Sequence, residues 1–377
     1  MKRRTLVSRT LLSGTGLATV SACQSNAPTS QPESSDSSAS NLANSSVRWR
    51  MATSWPKFLD VVFGTVERIC QRVSDITKGQ FVITPYEAGE LVPGLEVMDA
   101  VSAGTVECGH TASYYYVKKN PALAFGTTVP FGLNAQQHMS WLLYGGGLDA
   151  LQSLYSDFGV LYFPSGSTGA QMGGWFIREV KSLADLKGLK MRTPGLGGEV
   201  MKQLGVDVQV LAGNEIFEAL EAGKIEAAEW VGSYEDERLG LNRIAPFYYY
   251  PGWWEPGTTY EVQVNRTAWD QLPMDYQEVL RTAIAESNLQ MLAQYDAANG
   301  EALRRLLLKG TTLNPYSQDI LDAAYRAAFE LYDDMAAQDT AFSTLFDQWK
   351  TFRSQVYQWN YVNELSFANV ALNRGAN

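Results

Sequence analysis

The stretch that decides the fold is EIFEALEAGKIEAAEWVG, residues 215–232. Its first half has helical spacing. Ile216, Phe217 and Leu220 fall on one face, Asn214 precedes them as a residue able to accept a free first-turn amide, and Gly223 supplies the stop. Residues 225–228 are short, small and apolar, as a strand buried in a parallel sheet must be. Glu229 and Trp230 stand just past the carboxyl end of that strand, where open α/β sheets bind their ligands.

The phrase occurs twice. Residues 96–110 read EVMDAVSAGTVECGH. Aligned on Gly104 and Gly223, the pairs Glu96/Glu215, Ala100/Ala219, Ala103/Ala222 and Glu107/Glu226 are identical. Two copies of helix–glycine–strand predict two similar α/β lobes facing each other across a cleft. A chain of 377 residues suits two lobes better than one core.

Outward from the two copies, the pattern predicts strands at 47–55, 80–86, 159–165, 171–178, 189–192, 206–211 and 258–265. Residues 159–165 and 258–265 are expected to be the crossings between lobes. An amphipathic helix is expected at 58–76, with Val62, Val66, Ile69, Val73 and Ile76 repeating at three to four. Residues 248–255, YYYPGWWE, read as an aromatic loop. Helix-forming sequence then runs from Pro273 to Lys309, about 50 Å at 1.5 Å per residue, with Gly300 as an expected bend. Two more helices are expected at 317–337 and 341–359.

The N-terminus carries its own signals. Lys2, Arg3, Arg4 and Arg9 precede a modest apolar run, 11–20, too short to cross a bilayer, and Val20-Ser21-Ala22-Cys23 follows. Residues 1–22 are therefore expected to be an export signal, with Cys23 resembling the lipidated cysteine of bacterial lipoproteins. Residues 23–46, rich in Ser, Asn, Ala and Pro, are expected to form a flexible tether of roughly 25–30 Å. Cys70 and Cys108 are expected as buried thiols. The net charge of −10 argues against a nucleic-acid partner.

The chemistry that is missing narrows the function. The chain has two histidines, His110 and His138, neither next to a candidate nucleophile, and it lacks the C-x-x-C and H-E-x-x-H metal patterns. What remains is recognition. Arg192 ends a strand before a Thr193-Pro194-Gly195 turn, and its planar fork suits a carboxylate. Glu229 and Glu255 both end strand-like segments beside tryptophans. Two carboxylates there suit an anionic ligand only with a cation between them, and oxygens from Gln171, Glu229 and Glu255 would suit Na⁺ or Ca²⁺. Trp175, Trp230, Trp253, Trp254 and Tyr114, Tyr115 and Tyr116 are candidates for the cleft wall.

LVPGLEVMDAVSAG at 91–104, LKGLKMRTPG at 186–195, EALEAGKIEAAEW at 218–230 and WWEPG at 253–257 resemble the substrate-binding proteins of tripartite ATP-independent periplasmic (TRAP) transporters. The likeness covers about residues 47–315. It implies a two-lobed periplasmic-binding-protein fold of the α/β class, with a ligand cleft between lobes and a long C-terminal helix. By that resemblance lobe I would hold 47–165 with 258–300, lobe II 166–257, and 301–377 would pack across both. The EAAEW and WWEPG pair resembles the branch that binds 2-oxoacids or lactate with a metal cation. There the arginine matching Arg192 grips the carboxylate. Gln171, Glu229, Glu255 and the main chain of Trp230 match the residues around the cation. A tyrosine of the 114–116 run, Tyr115 or Tyr116, contacts the ligand. The resemblance also implies a sodium-driven membrane permease as partner, a periplasmic location, attachment to a membrane through lipid on Cys23, and pairing of two copies through the long helix. The other readings are a binding protein for glutamate or a dicarboxylate, and a periplasmic enzyme using the two carboxylates as acid and base.

Overall fold

The structure, a computed structural model, describes residues 46–372. The expected export signal, Cys23 and all but the last residue of the tether lie outside the described residues. Among the described residues eleven strands form two sheets. The first has the order β2-β1-β3-β10-β4, built from β1 (Val47–Thr53), β2 (Phe81–Tyr86), β3 (Cys108–Thr111), β4 (Val160–Ser167) and β10 (Thr259–Asn265). The second has the order β11-β9-β5-β8-β6-β7, built from β5 (Trp175–Phe176), β6 (Lys190–Arg192), β7 (Asp207–Gln209), β8 (Ala227–Ala228), β9 (Phe247–Tyr250) and β11 (Thr312–Pro315).

The two sheets share a plan. In the first, α1 (Val62–Ile76) and α2 (Val97–Ser102) carry the chain from β1 to β2 and on to β3, and β1 pairs in parallel with both neighbours. Farther along come α3 (Ala124–Thr127), α4 (Ala135–Tyr144) and α5 (Gly147–Ser156). In the second, α6 (Gly195–Gln203) and α7 (Ile216–Glu221) connect β6 to β7 and β7 to β8, and β6 pairs in parallel with both neighbours. The orders β2-β1-β3 and β7-β6-β8 are the same doubly wound unit. Each has its crevice where the strand order reverses, at the carboxyl ends of the strands.

The repeated phrase folds the same way in both copies. Gly104 and Gly223 both take a left-handed backbone, φ 69° and 65°. Thr105 and Lys224 each donate an amide to the alanine five residues back, Ala100 and Ala219, at 2.9 Å. Glu107 and Glu226 each accept a main-chain amide from the neighbouring strand, from Arg50 at 2.7 Å and Lys190 at 3.2 Å. One expected detail differs. Asn214 does not cap α7. The Glu215 side chain reaches back to the Ala212 amide at 2.8 Å, because a 3₁₀ turn, Gly213–Glu215, precedes the helix.

Other expectations need correction. Residues 159–165 and 258–265 are not crossings. They fall largely in β4 and β10, antiparallel neighbours in the first sheet. The chain changes sheets after Ser167 and before Thr259, and these two passages lie against each other: Thr168 donates to the Thr258 carbonyl, and Gln171 to that of Glu255, both at 3.0 Å. The start of the aromatic loop is strand β9, since its tyrosines complete the second sheet beside β5. The expected strand at 171–178 shrinks to Trp175–Phe176.

Past β10, the short α9 (Arg266–Asp270) leads to α10 (Met274–Leu308), one helix of 35 residues that runs through Gly300. Gly300 lies inside this helix, with open space where a side chain would be. The helix packs on β4, α1 and α8 (Ser233–Leu239) and delivers the chain to β11, a strand missed in the sequence. Helices α11 (Gln318–Gln338), α12 (Thr340–Asn360) and α13 (Ser366–Leu372) follow. Tyr332 donates to the Pro130 carbonyl at 2.8 Å, and Trp349 packs on Phe125 with ring centres 5.6 Å apart. Cys70 and Cys108 are free and buried, as expected. Among the described residues no helix is long and apolar enough to cross a membrane.

One buried acid of the first sheet stands clear of the cleft chemistry. Glu261 on β10 is fully buried and accepts from Tyr155 and Gln263, each at 2.6 Å. Burial pushes its carboxyl up from 4.5 to about 7, against the hydrogen bonds. A folded pKa above the unfolded one favours the fold below about pH 4.5, and that contribution is lost as pH rises through about 7. Glu261→Gln removes this dependence. The variant should gain stability relative to wild type between pH 5 and pH 8, by up to about 3 kcal/mol. Urea unfolding at the two pH values measures it, and a constant difference between variant and wild type would refute the assignment.

Candidate ligand and cation site

Arg192 is the last residue of β6, and Glu229 follows β8, the parallel neighbour of β6. The pairing puts both side chains at one crevice. They form an ion pair through Arg192 Nη1 and Glu229 Oε1, with exposures of 1% and 0%. The same Nη1 donates to the Glu229 carbonyl at 3.1 Å, and Nε donates to the Leu211 carbonyl at 3.0 Å. The guanidinium also lies 5.4 Å from the ring centre of Trp230. Gly213 backs that ring, where a Cβ would come within 2.4 Å of it.

Gln171 and Glu255 arrive from the two passages between sheets. Thr258 links them: its hydroxyl donates to Glu255 Oε2 at 2.7 Å and accepts from Gln171 Nε2 at 3.1 Å. Gly252 permits the close pass, since a Cβ there would meet the Gln171 carbonyl at 2.5 Å.

The first lobe closes the crevice. Tyr114 presses on Gly195, where a Cβ would lie 2.9 Å from that of Tyr114. Trp55, just past β1, meets Trp230 edge-on at 6.4 Å and packs on Tyr260 at 4.5 Å. His110 stands behind Trp55. It accepts from the indole at 2.7 Å on Nδ1 and pairs with Ser165 at 2.9 Å on Nε2, so burial keeps it neutral, with a pKa near 3. His110 is thus a structural histidine. His138 is likewise buried, between Thr259 and the Phe125 carbonyl.

The tyrosine run divides. Tyr115 is beside Arg192: burial raises its hydroxyl to about 12, against the pull of the guanidinium. Tyr114 is among the groups that draw the Glu255 carboxyl down. Tyr116 turns the other way. Its hydroxyl is used inside the first lobe, accepting from the Met98 amide at 3.1 Å and bonding Thr111 at 2.8 Å.

The charges are strongly perturbed. Burial drives the Glu229 carboxyl well above its usual range, Arg192 pulls it down, and Glu255 pushes it up again. Burial also raises Glu255, to about 7, against hydrogen bonds from Thr258 and the charge of Arg192. For Arg192, burial works against the charge, but Glu229, both tyrosines and Glu255 together hold the guanidinium above its ordinary value.

Three buried atoms in this group have no protein partner: Arg192 Nη2, Glu229 Oε2 and Gln171 Oε1. One is a cationic donor, which fits a carboxylate oxygen. Two are oxygen acceptors, which fit a hard cation. Among the described residues no three His, Cys, Asp or Glu side chains converge on a metal position. Two carboxylates with neutral oxygens are a donor set suited to Na⁺ or Ca²⁺ and not to zinc.

Thr258 and Trp55 join the site beyond the residues singled out in the sequence, and Tyr114 joins it from the expected cleft wall. Trp55 carried a signal, because it lies just past the carboxyl end of β1, where open α/β sheets bind their ligands. Thr258 carried none.

Fold and site together define an extracytoplasmic solute receptor: the chain belongs to the bacterial extracellular solute-binding protein family 7, whose sequence profile matches residues 51–339. It is 58% identical over 371 residues, 98% of this chain and 99% of the other, to a monocarboxylate 2-oxoacid-binding periplasmic protein of Nostoc sp. strain PCC 7120. Among solved structures it is similar to a TRAP transporter solute-binding protein of Bordetella bronchiseptica, at 44% identity and TM-score 0.87, over 88% of this chain and 99% of that one. That crystal is a mixed-occupancy dimer with calcium and picolinate in one site. A second, from Pseudoalteromonas atlantica, holds sodium and pyruvate, with 35% identity, TM-score 0.83, and coverage of 86% and 98%.

Breaking the Arg192–Glu229 pair from one side leaves a buried, unpaired charge. Arg192→Met should destabilise the fold by about 3–5 kcal/mol, and Arg192→Met with Glu229→Leu should recover most of that loss. Urea unfolding of both variants without ligand checks this. A double variant no more stable than the single one would contradict it.

Proposed function

We propose that this receptor captures a small 2-oxoacid such as pyruvate, or a 2-hydroxy acid such as lactate, together with a Na⁺ or Ca²⁺ ion, and passes it to a sodium-driven TRAP permease. The observation that carries the reading is the set of three unpartnered buried atoms, Arg192 Nη2, Glu229 Oε2 and Gln171 Oε1. Arg192 Nη2 donates to the ligand carboxylate. Gln171, Glu229, Glu255 and the Trp230 carbonyl would hold the cation, which supplies positive charge against two carboxylates and the acid. Tyr115 lines the ligand from the first lobe. The relatives support the same chemistry: the Bordetella structure holds calcium with picolinate, the Pseudoalteromonas structure holds sodium with pyruvate, and the Nostoc relative is a monocarboxylate 2-oxoacid-binding protein.

The charge count favours a monocarboxylate. Among the described residues Arg192 is the only buried Arg or Lys, so a second ligand carboxylate would enter without a protein cation. That weighs against glutamate or a dicarboxylate. The periplasmic-enzyme reading is weakened because the His110–Ser165 contact is fully buried, with the other ring nitrogen of His110 taken by the Trp55 indole, and His138 is held between Thr259 and the Phe125 carbonyl.

The receptor is placed in the periplasm and tied to a membrane by lipid on Cys23. Pairing of two copies falls to the last helices, where Trp359, Tyr361, Val362, Phe367, Val370 and Leu372 are exposed.

Native mass spectrometry of protein purified from its own membranes tests the set. The expected mass includes one C2-oxygenated monocarboxylic acid, one Na⁺ or Ca²⁺ ion, and diacylglycerol on Cys23. Recovery of a dicarboxylate or amino acid, in place of a 2-oxo or 2-hydroxy acid, would overturn the ligand assignment. Phe367→Glu with Val370→Glu should shift any dimer to monomer in sedimentation, and an unchanged dimer would reject the last helices as the interface.

A further inference from the structure

We propose that Glu235 is a positioning residue that ties Trp230, in the cleft wall, to the first turn of α1 in the opposite lobe. Closing the cleft and setting the geometry around Arg192 then become one event. The inference rests on the ligand reading above.

Helix α1 begins without a cap of its own. Val61, at its N-cap, offers no side-chain oxygen, and the first turn has no acid. The free amide of Val62 is met from the other lobe instead: Glu235 Oε1 accepts it at 3.0 Å. The glutamate thereby satisfies a first-turn amide that has no partner within the helix. Its second oxygen, Oε2, accepts from the Trp230 indole at 3.3 Å. Glu235 is fully buried, so water does not substitute cheaply for either bond.

The two ends belong to different lobes. Helix α1 lies between β1 and β2 of the first sheet, and Glu235 is on α8, between β8 and β9 of the second. The carboxylate keeps both partners only while the lobes are together. Trp230 has little freedom of its own, with Gly213 against its ring and the Arg192 guanidinium 5.4 Å from its centre. A displacement at Glu235 therefore reaches Arg192 through one side chain. An outer seam joins the same segments: Tyr234 donates to Asp60 at 2.9 Å, and Arg238 donates to the Phe58 carbonyl at 2.8 Å. These contacts are exposed and should count for little.

Glu235→Gln keeps the shape and turns one acceptor into a donor, which then faces the Val62 or the Trp230 N–H. Tyr234→Phe removes only an outer contact. Calorimetry with pyruvate in calcium buffer should show affinity at least tenfold weaker for Glu235→Gln, and within twofold of wild type for Tyr234→Phe. Small-angle scattering should show less contraction of Glu235→Gln on adding pyruvate. A merely structural role would lower Tm and leave the affinity alone, so wild-type affinity with wild-type contraction in Glu235→Gln overturns the proposal. Should the wild type itself take no pyruvate, the ligand reading falls, and hydrogen exchange of the ligand-free proteins decides the seam. Faster exchange in both 58–64 and 228–232 of Glu235→Gln supports the tie, and unchanged exchange in either segment refutes it.

Discussion

A guanidinium and a carboxylate buried together, Arg192 with Glu229, set the terms for everything around them. Neither charge is tolerable in that place alone, since an isolated ion in the interior costs several kcal/mol after relaxation. The pair is made through one arm of each group, so the other arm of each remains for a ligand. The arginine is further fixed by two carbonyls and a tryptophan ring, so its free arm has a defined direction before any acid arrives. Preorganisation of this kind reduces the ordering cost of binding.

The pair exists because of strand order. Arg192 and Glu229 are 37 residues apart, and only the parallel pairing of β6 with β8 makes them neighbours. The first sheet repeats that order and places Trp55 and His110 at the matching strand ends. The site is thus assembled from two switch points facing each other, with the passages between sheets contributing Gln171, Thr258 and Glu255 from the side. The carboxylate that answers Arg192 is only half neutralised as a set, because Glu255 brings a second acid. In the proposed reading a cation among these oxygens and an acid on the arginine would complete each other's charge, and neither is expected to bind well alone.

What could be read from the sequence was local or periodic. The repeated phrase gave both helix–glycine–strand units, because a left-handed glycine and an apolar face are short-range properties. Arg192, Glu229, Glu255 and Gln171 were legible as polar residues at strand ends beside glycine and tryptophan, and through resemblance to a known branch of receptors. The tyrosine run was not resolved, because a 3₁₀ turn, Ser113–Tyr116, sends Tyr115 toward Arg192 and Tyr116 into the first lobe. Thr258 and Glu235 act through partners 87 and 173 residues away, and nothing in their neighbourhoods announces it. The crossings were misplaced for a related reason: β4 and β10 pair with each other, and their apolar pattern does not show where a sheet ends.

In the proposed reading acid and cation share one site and depend on each other. Calorimetric titration of pyruvate into protein stripped by exhaustive chelation in sodium-free buffer tests it most directly, with Na⁺ or Ca²⁺ then restored one at a time. Binding should vanish in the stripped protein and return when one of the two ions is added back. Full affinity with both ions absent would contradict the account and leave Glu229 and Glu255 without a role in binding.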